Sequence, residues 1–395
     1  VSDPAVSPLL PGLKVLDFTW AAAGPVATTF LSFLGADVVK VEHGSRPDLM
    51  RVSDRQYGYG AVRSYNESPL FNELASGKRS IDLDLRQPGD LQLAVDLAAV
   101  ADVVVENMRP GKFEKLGLSY QRLSELNPRL IMCSVSATGR SSAISPPGYA
   151  PVFWAEGGGA WLTGWPDRPP GLVRGPVDLH AAAFAGLGIL SLLRRRDITG
   201  TGGYLDTSAV EAVAAVVGAQ LIEAQVAERA GWPEPTRRGN EFPGTLVSDT
   251  FPCAGEDQWL ALTLRHDGDV TAFLDLLAVR FRVTISREEI LGGDAAQSWK
   301  NLARLTESLD ATELEAACAA AGVPAARSTS LRAAMTEPRL TERHALQPIF
   351  HDVLGEQVII ALPWLLDGSP YPVRGPAPVL GGDRGDVLRD WLGTA

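Results

Sequence analysis

Asp178 reads first as a helix cap and, compatibly with that, as a candidate for covalent chemistry. It stands in Arg174-Gly175-Pro176-Val177-Asp178-Leu179-His180, directly before a long stretch rich in Ala, Leu and Gly that predicts a helix over 179–195. Aspartate at that point is a favoured N-cap, because its carboxylate accepts the unsatisfied amides of the first turn. The same terminus stabilises an anion and keeps the carboxylate available as a nucleophile, so capping and catalysis are compatible at one residue. His180 is the neighbouring candidate base. The five histidines, at 43, 180, 266, 344 and 351, have neither HExxH nor HxH spacing, and no metal site is expected. A GxSxG elbow is lacking, which argues against a serine hydrolase.

Two further runs offer charge or amides to a phosphate. Ser76-Gly77-Lys78-Arg79-Ser80 places two cations before an apolar run, a pattern equally at home in a solvated turn. Asn107-Met108-Arg109-Pro110-Gly111 follows a strand-like segment, where Asn and Gly also serve simply as terminators. The turn Trp20-Ala21-Ala22-Ala23-Gly24-Pro25 is not the GxGxxG of a dinucleotide site, although its small side chains permit close ligand approach.

The elements that must position these residues alternate. Strands are expected at 14–18, 36–42, 80–85, 102–106 and 129–134, with helices opening at Gly24-Pro25 and covering 90–100 and 120–126. That alternation predicts a parallel sheet wound on both faces, with ligands at the carboxyl ends of its strands. The segment 44–72 is too long for an idle connection. Beyond the helices expected at 179–195 and 208–227, a Gly- and Pro-rich stretch at 231–244 marks a boundary, followed by strand-like runs at 246–251 and 259–264 and helical patterns to about 321.

At 395 residues the length favours two domains. The net charge of -11, from 36 basic and 47 acidic side chains, makes nucleic acid an unsuitable partner. A few cations in a cleft still suffice for a phosphorylated small molecule. Cys133, Cys253 and Cys318 lack metal or redox spacing and are read as reduced thiols; with no apolar stretch of about 18 residues and no leader pattern, a cytoplasmic protein with no membrane partner is expected.

In order along the chain, several segments resemble the class III CoA-transferase family, the CaiB/BaiF type that includes formyl-CoA transferases and α-methylacyl-CoA racemases. They are LPGLKVLDFTWAAAGPVATTFLSFLGADVVKVEH at 10–43, GKRSIDLDL at 77–85, ADVVVENMRPGKFEKLGLSY at 101–120, LNPRLIMCSVSATG at 126–139, LTGWPDRPP at 162–170, VDLHAAAFAGLGILSLLRRRDITGTGGYLDTS at 177–208 and APVLGGDRGDVLRDWLG at 377–393. The resemblance implies an α/β fold with a Rossmann-like large domain formed by 1–230 and a C-terminal return at 345–395, and a smaller α+β domain at 231–344. It also implies an interlocked homodimer.

By the same resemblance Asp178 matches the catalytic aspartate, and Ala21, Ala22, Ala23, His43, Lys78, Asn107, Met108 and Lys115 fall at positions that line the CoA site. His43 and Lys115 stand where some relatives carry arginine. The implied reaction moves CoA from an acyl-CoA donor to a carboxylic acid acceptor through aspartyl anhydride and aspartyl-CoA thioester intermediates, with no metal. Two rivals are a racemase, which needs a second acid/base group where this chain reads Gly148-Tyr149-Ala150-Pro151, and a non-catalytic acyl-CoA-binding protein. Gly157-Gly158-Gly159 and Arg238-Gly239-Asn240 are candidates for oxyanion donors or a cover, and Trp20, Trp154 and Trp161 for an apolar pocket.

Overall fold

The computed structural model describes residues 7–52, 64–142, 148–173 and 175–394. The expected long segment at 44–72 therefore lies partly outside the described residues. Six parallel strands, β1 (Lys14–Phe18), β2 (Asp37–Glu42), β3 (Arg79–Asp82), β4 (Val103–Glu106), β5 (Ile131–Ser136) and β6 (Gly203–Ser208), form one sheet in the order β3-β2-β1-β4-β5-β6. This is the doubly wound order, whose direction reverses between β1 and β4.

Strand periodicity of two sends alternate side chains to opposite faces. Val15, Val38, Val103, Val105, Ile131 and Cys133 pack on one face with the helices Ala23–Phe33 and Gly175–Thr199. Leu16, Phe18, Val39, Val41, Val104 and Met132 pack on the other with the helix Pro88–Val100, Leu123 and the C-terminal Val387 and Trp391. Both faces are covered, which is why these strands read as continuous apolar runs.

Contacts divide the chain into two compact units: Val1–Ala160, Leu172–Pro235 and Glu337–Ala395 in the first, Trp161–Gly171 and Thr236–Thr336 in the second. Trp161–Gly171, read from the sequence as part of the large domain, belongs to the second unit. That unit is built on an antiparallel sheet of β7 (Val247–Pro252), β8 (Trp259–Leu264) and β9 (Ala325–Arg327), with Phe251, Leu262, Phe273, Leu302 and Leu314 in its core.

Three elements differ from expectation. β6 is a strand that the polar run Gly-Tyr-Leu-Asp-Thr-Ser concealed. The single helix expected at 208–227 is two, Ala209–Val216 and Gly218–Ala230, bent by 67° at a break beside Gly218. Gly175–Thr199 is long and apolar enough to cross a membrane, contrary to the expectation of no such stretch, but Ala181, Ala182, Ala185 and Ile189 bury one side of it in the sheet core.

Candidate active site

The switch point lies between β1 and β4, where Phe18 is in register with Glu106. Just beyond, the Asn107 carboxamide closes the crevice floor. Its Oδ1 accepts from the Trp20 N–H (2.8 Å) and its Nδ2 donates to the Trp20 carbonyl (2.7 Å). Ala21 follows at φ 62°, a left-handed conformation unusual for a residue with a Cβ. The helix Ala23–Phe33 then starts with Ala22 at its N-cap, and no side chain among the described residues caps it.

Beneath this turn lies a cluster of buried charges. Asp17, Lys40 and Lys78 have fully buried side chains. The Lys78 ammonium donates to Asp17 Oδ2 (3.1 Å), the Pro25 carbonyl (2.8 Å) and Thr28 Oγ1 (2.8 Å). All three of its protons are thereby engaged within the chain, leaving none for a phosphate in this geometry. Burial opposes the charge on Asp17, but Lys78, Lys40 and the Thr19 and Thr28 hydroxyls outweigh it and hold the carboxyl below its usual range. Nearby, Glu42 and the fully buried Arg51 pair through two bonds of 2.8 and 2.7 Å.

Asp178 does not cap its helix. The helix begins at Gly175, so Asp178 lies within the first turn, because Gly175 and Pro176 fit a helix start instead of breaking it. In a right-handed crossover the helix runs antiparallel to its strands, which brings its N-terminus to the carboxyl edge of the sheet, the edge at which the Ala23–Phe33 helix also starts. At 1.5 Å per residue its 25 residues span roughly 37 Å, well beyond the reach of a six-residue strand. Val177 is anchored among Ala150, Val213, Phe153 and Trp154.

The Asp178 carboxyl makes no hydrogen bond among the described residues, and burial pushes its pKa up to about 6. Burial is the cause of that shift, and a carboxyl with this pKa is still mostly ionised at neutral pH. His180 Nδ1 is hydrogen bonded to the Pro176 carbonyl of its own helix, which engages that ring nitrogen. Tyr149, at the position where a racemase needs its second base, is 65% exposed.

The other expected site residues are distributed along the same edge. His43, after β2, is half-buried; Nδ1 lies 3.3 Å from Asp82 and Nε2 lies 2.8 Å from Ser45 Oγ and 3.4 Å from the Arg86 guanidinium. Met108 donates its N–H to Glu106 (2.8 Å). Lys115 ends the short helix Lys112–Lys115, exposed and without an ion pair among the described residues. Thus the turn at 20–23, Asn107 and Met108 meet at the switch point, His43 and Lys115 flank it, and Lys78 lies below.

A family model described as CoA-transferase family III matches residues 10–384. The chain belongs to CoA-transferase family III. It is an enzyme of that class, and its chemistry is CoA transfer. Among family III relatives, the succinyl-CoA–D-citramalate CoA-transferase of Chloroflexus aurantiacus is 30% identical over 389 residues, covering 97% of this chain and 94% of its own. The succinyl-CoA:mesaconate CoA-transferase of Haloarcula hispanica is 31% identical over 398 residues, covering 96% and 95%. The crystal structure of a CaiB/BaiF family protein from Brucella suis superposes with a TM-score of 0.83 at 25% identity, covering 97% of this chain and 99% of that one.

Within this family III enzyme the glycine segments serve packing. A Cβ on Gly157 would lie 2.5 Å from Val213, and one on Gly239 2.9 Å from Trp165. The Gly157, Gly158 and Gly239 amides donate to Phe153, Ala155 and Gly164, so these three are not free as oxyanion donors. Trp154 packs in the core around Val177, and the guanidinium groups of Arg46 and Arg237 lie over Trp20 and Trp161. Sequence reasoning missed Asp17, Lys40 and Asp48 beneath the turn, and the Glu106–Arg140 pair (2.8 Å) beside Met108. The missed signal was a charge inside an apolar strand, as in Lys-Val-Leu-Asp-Phe, since an ion buried there must find a partner.

Proposed function

We propose that the enzyme transfers CoA from an acyl-CoA donor to a carboxylic acid through covalent intermediates on Asp178. Supporting this reading is one carboxyl, partly desolvated and without a hydrogen-bond partner among the described residues, in the first turn of a helix whose N-terminus lies at the ligand edge of the sheet. Desolvation strips a carboxylate of the water that blunts it as a nucleophile. An Asp178 oxygen attacks the donor thioester carbon, the C–S bond breaks, and CoA thiolate leaves with the bonding pair. Thiolate then attacks the aspartyl carbon of the anhydride and expels the donor carboxylate. The acceptor carboxylate attacks the aspartyl-CoA thioester, releasing thiolate, which takes the acceptor acyl group and frees Asp178. No proton is gained or lost.

The CoA moiety lies along Ala21, Ala22, Ala23, Asn107 and Met108, with Lys115 and His43 toward its phosphates. Lys78 supports the turn from below through Asp17. Two relatives are named for succinyl-CoA with citramalate or mesaconate, which makes succinyl-CoA and dicarboxylates the first substrates to try. A homodimer of interlocked chains covers the apolar side chains left outside, among them Leu187 at 61% exposure and Ile222 at 64%. Three buried free thiols fit a reducing cytoplasm.

Incubation with donor alone is expected to leave CoA or acyl groups covalently on Asp178, read by mass spectrometry after hydroxylamine treatment. Deuterium wash-in at the α-carbon of a 2-methylacyl-CoA without that adduct would replace transfer by racemisation. The pH profile is a second test. Asp178 attacks only when ionised, so kcat/KM is expected to fall as pH drops below about 6 and to level off above it. A profile flat to pH 4.5 would remove Asp178 as the nucleophile.

A further inference from the structure

We infer that Asp48, backed by Lys40, is a positioning residue for the CoA site: it holds Ala21 in the left-handed conformation that opens the uncapped Ala23–Phe33 helix toward the ligand. The inference rests on the reading that the Trp20–Ala23 turn lines that site. Three side chains grip the turn. Lys40 Nζ donates to the Thr19 carbonyl (2.5 Å), Asn107 brackets Trp20, and Asp48 Oδ1 accepts the Ala21 N–H (3.2 Å). Only the last acts on the left-handed residue itself.

Asp48 is built for this task. It is 2% exposed, its Oδ1 also accepts the Met50 N–H (3.0 Å), and its Oδ2 lies 3.0 Å from Lys40 Nζ. Lys40 is fully buried, so neither charge exchanges its partner for water. Five described residues other than glycine have positive φ, and Ala21 alone among them lies at the carboxyl edge of the six-stranded sheet. An alanine does not stay in that region unaided. The carboxylate supplies the constraint, and the second face of the turn remains free for ligand.

Two matched double variants isolate the contact. Lys40→Met with Asp48→Asn and Lys40→Met with Asp48→Ala remove the same two charges, but only the asparagine keeps an oxygen for the Ala21 N–H. The alanine double is expected to show a KM for the CoA ester about tenfold above that of the asparagine double, with kcat within about twofold. Adding Ala21→Gly to the alanine double is expected to recover part of that loss, because glycine enters the left-handed region freely. Equal KM values in the two doubles, or kcat and KM worsening together without recovery by glycine, would overturn the inference.

Amide hydrogen exchange on the unmodified, ligand-free enzyme gives a measurement that needs no variant to fold. Protection at Ala21 is expected, and an Ala21 amide exchanging at the open-chain rate would also overturn the role of Asp48. Ala22→Trp separates this from the site reading. If its ring abolishes CoA binding by calorimetry while the doubles agree, only the positioning role fails; undiminished binding by Ala22→Trp overturns the site itself.

Discussion

Replacing Asp178 with Ala is expected to lower CoA transfer by on the order of 10³-fold or more, because the covalent route loses the atom on which every intermediate forms. The fold is expected to survive. Asp178 is a first-turn residue and not the cap, so its interaction with the helix terminus is worth only about 0.3–1 kcal/mol. The sign of the stability change depends on pH. A carboxyl whose pKa is raised by burial binds its proton more tightly in the folded state. Its contribution is therefore fully present below the ordinary value of 3.8 and is lost as pH rises through about 6. Asp178→Asn removes that dependence, and its urea midpoint is expected to equal or exceed that of the parent at pH 7.5. Transfer by the Ala variant within tenfold of the parent would eliminate the nucleophile assignment.

The second large effect is one of stability. Lys78→Met leaves Asp17 with a buried charge, two hydroxyls and a more distant Lys40, a loss expected to cost about 3–5 kcal/mol in equilibrium unfolding. Lys115→Ala, on an exposed short helix, is expected to leave the unfolding midpoint in place and to raise the KM for the CoA ester instead. The pair separates a cation that builds the turn from one that faces ligand. Unchanged stability in Lys78→Met with a raised KM would return Lys78 to direct phosphate contact.

The contrast between these lysines shows where sequence reasoning stops. Gly-Lys-Arg before a strand marks Lys78 as notable, but its partner Asp17 lies 61 residues earlier, and only the parallel pairing of β3, β2 and β1 brings them together. β1 and β8 were legible to the residue, since apolar runs between turn residues leave little freedom. β6 was not, because exposed Tyr204 and Asp206 interrupt it and its buried residues are Gly203, Thr207 and Ser208, none of them apolar enough to mark a strand. The helix carrying Asp178 was found but started four residues late, a displacement that changed a cap into a first-turn carboxyl. The turn at 20–25 was legible, but the left-handed backbone at Ala21 was not, because alanine carries no side-chain signal for positive φ as glycine or asparagine does.

β3 is an edge strand, and residues 381–384 cover it. Asp383 accepts the Ser80 N–H (2.7 Å) and returns its own N–H to the Ser80 carbonyl (3.0 Å), Gly381 donates to Ser80 Oγ (2.9 Å), and Arg384 donates to the Asp82 carbonyl (2.9 Å). The separation of 303 residues between Ser80 and Asp383 corresponds to about 15–60 s of synthesis at ~5–20 residues per second. For that interval the emerging chain carries a strand with one side unsealed while the whole of the second unit is translated, a standing invitation to pair with another nascent chain. Yield in a cell is thus tied to the speed of the ribosome and to chaperone supply, and a deletion that removes residues 381–384 acts on a strand 303 residues earlier in the chain.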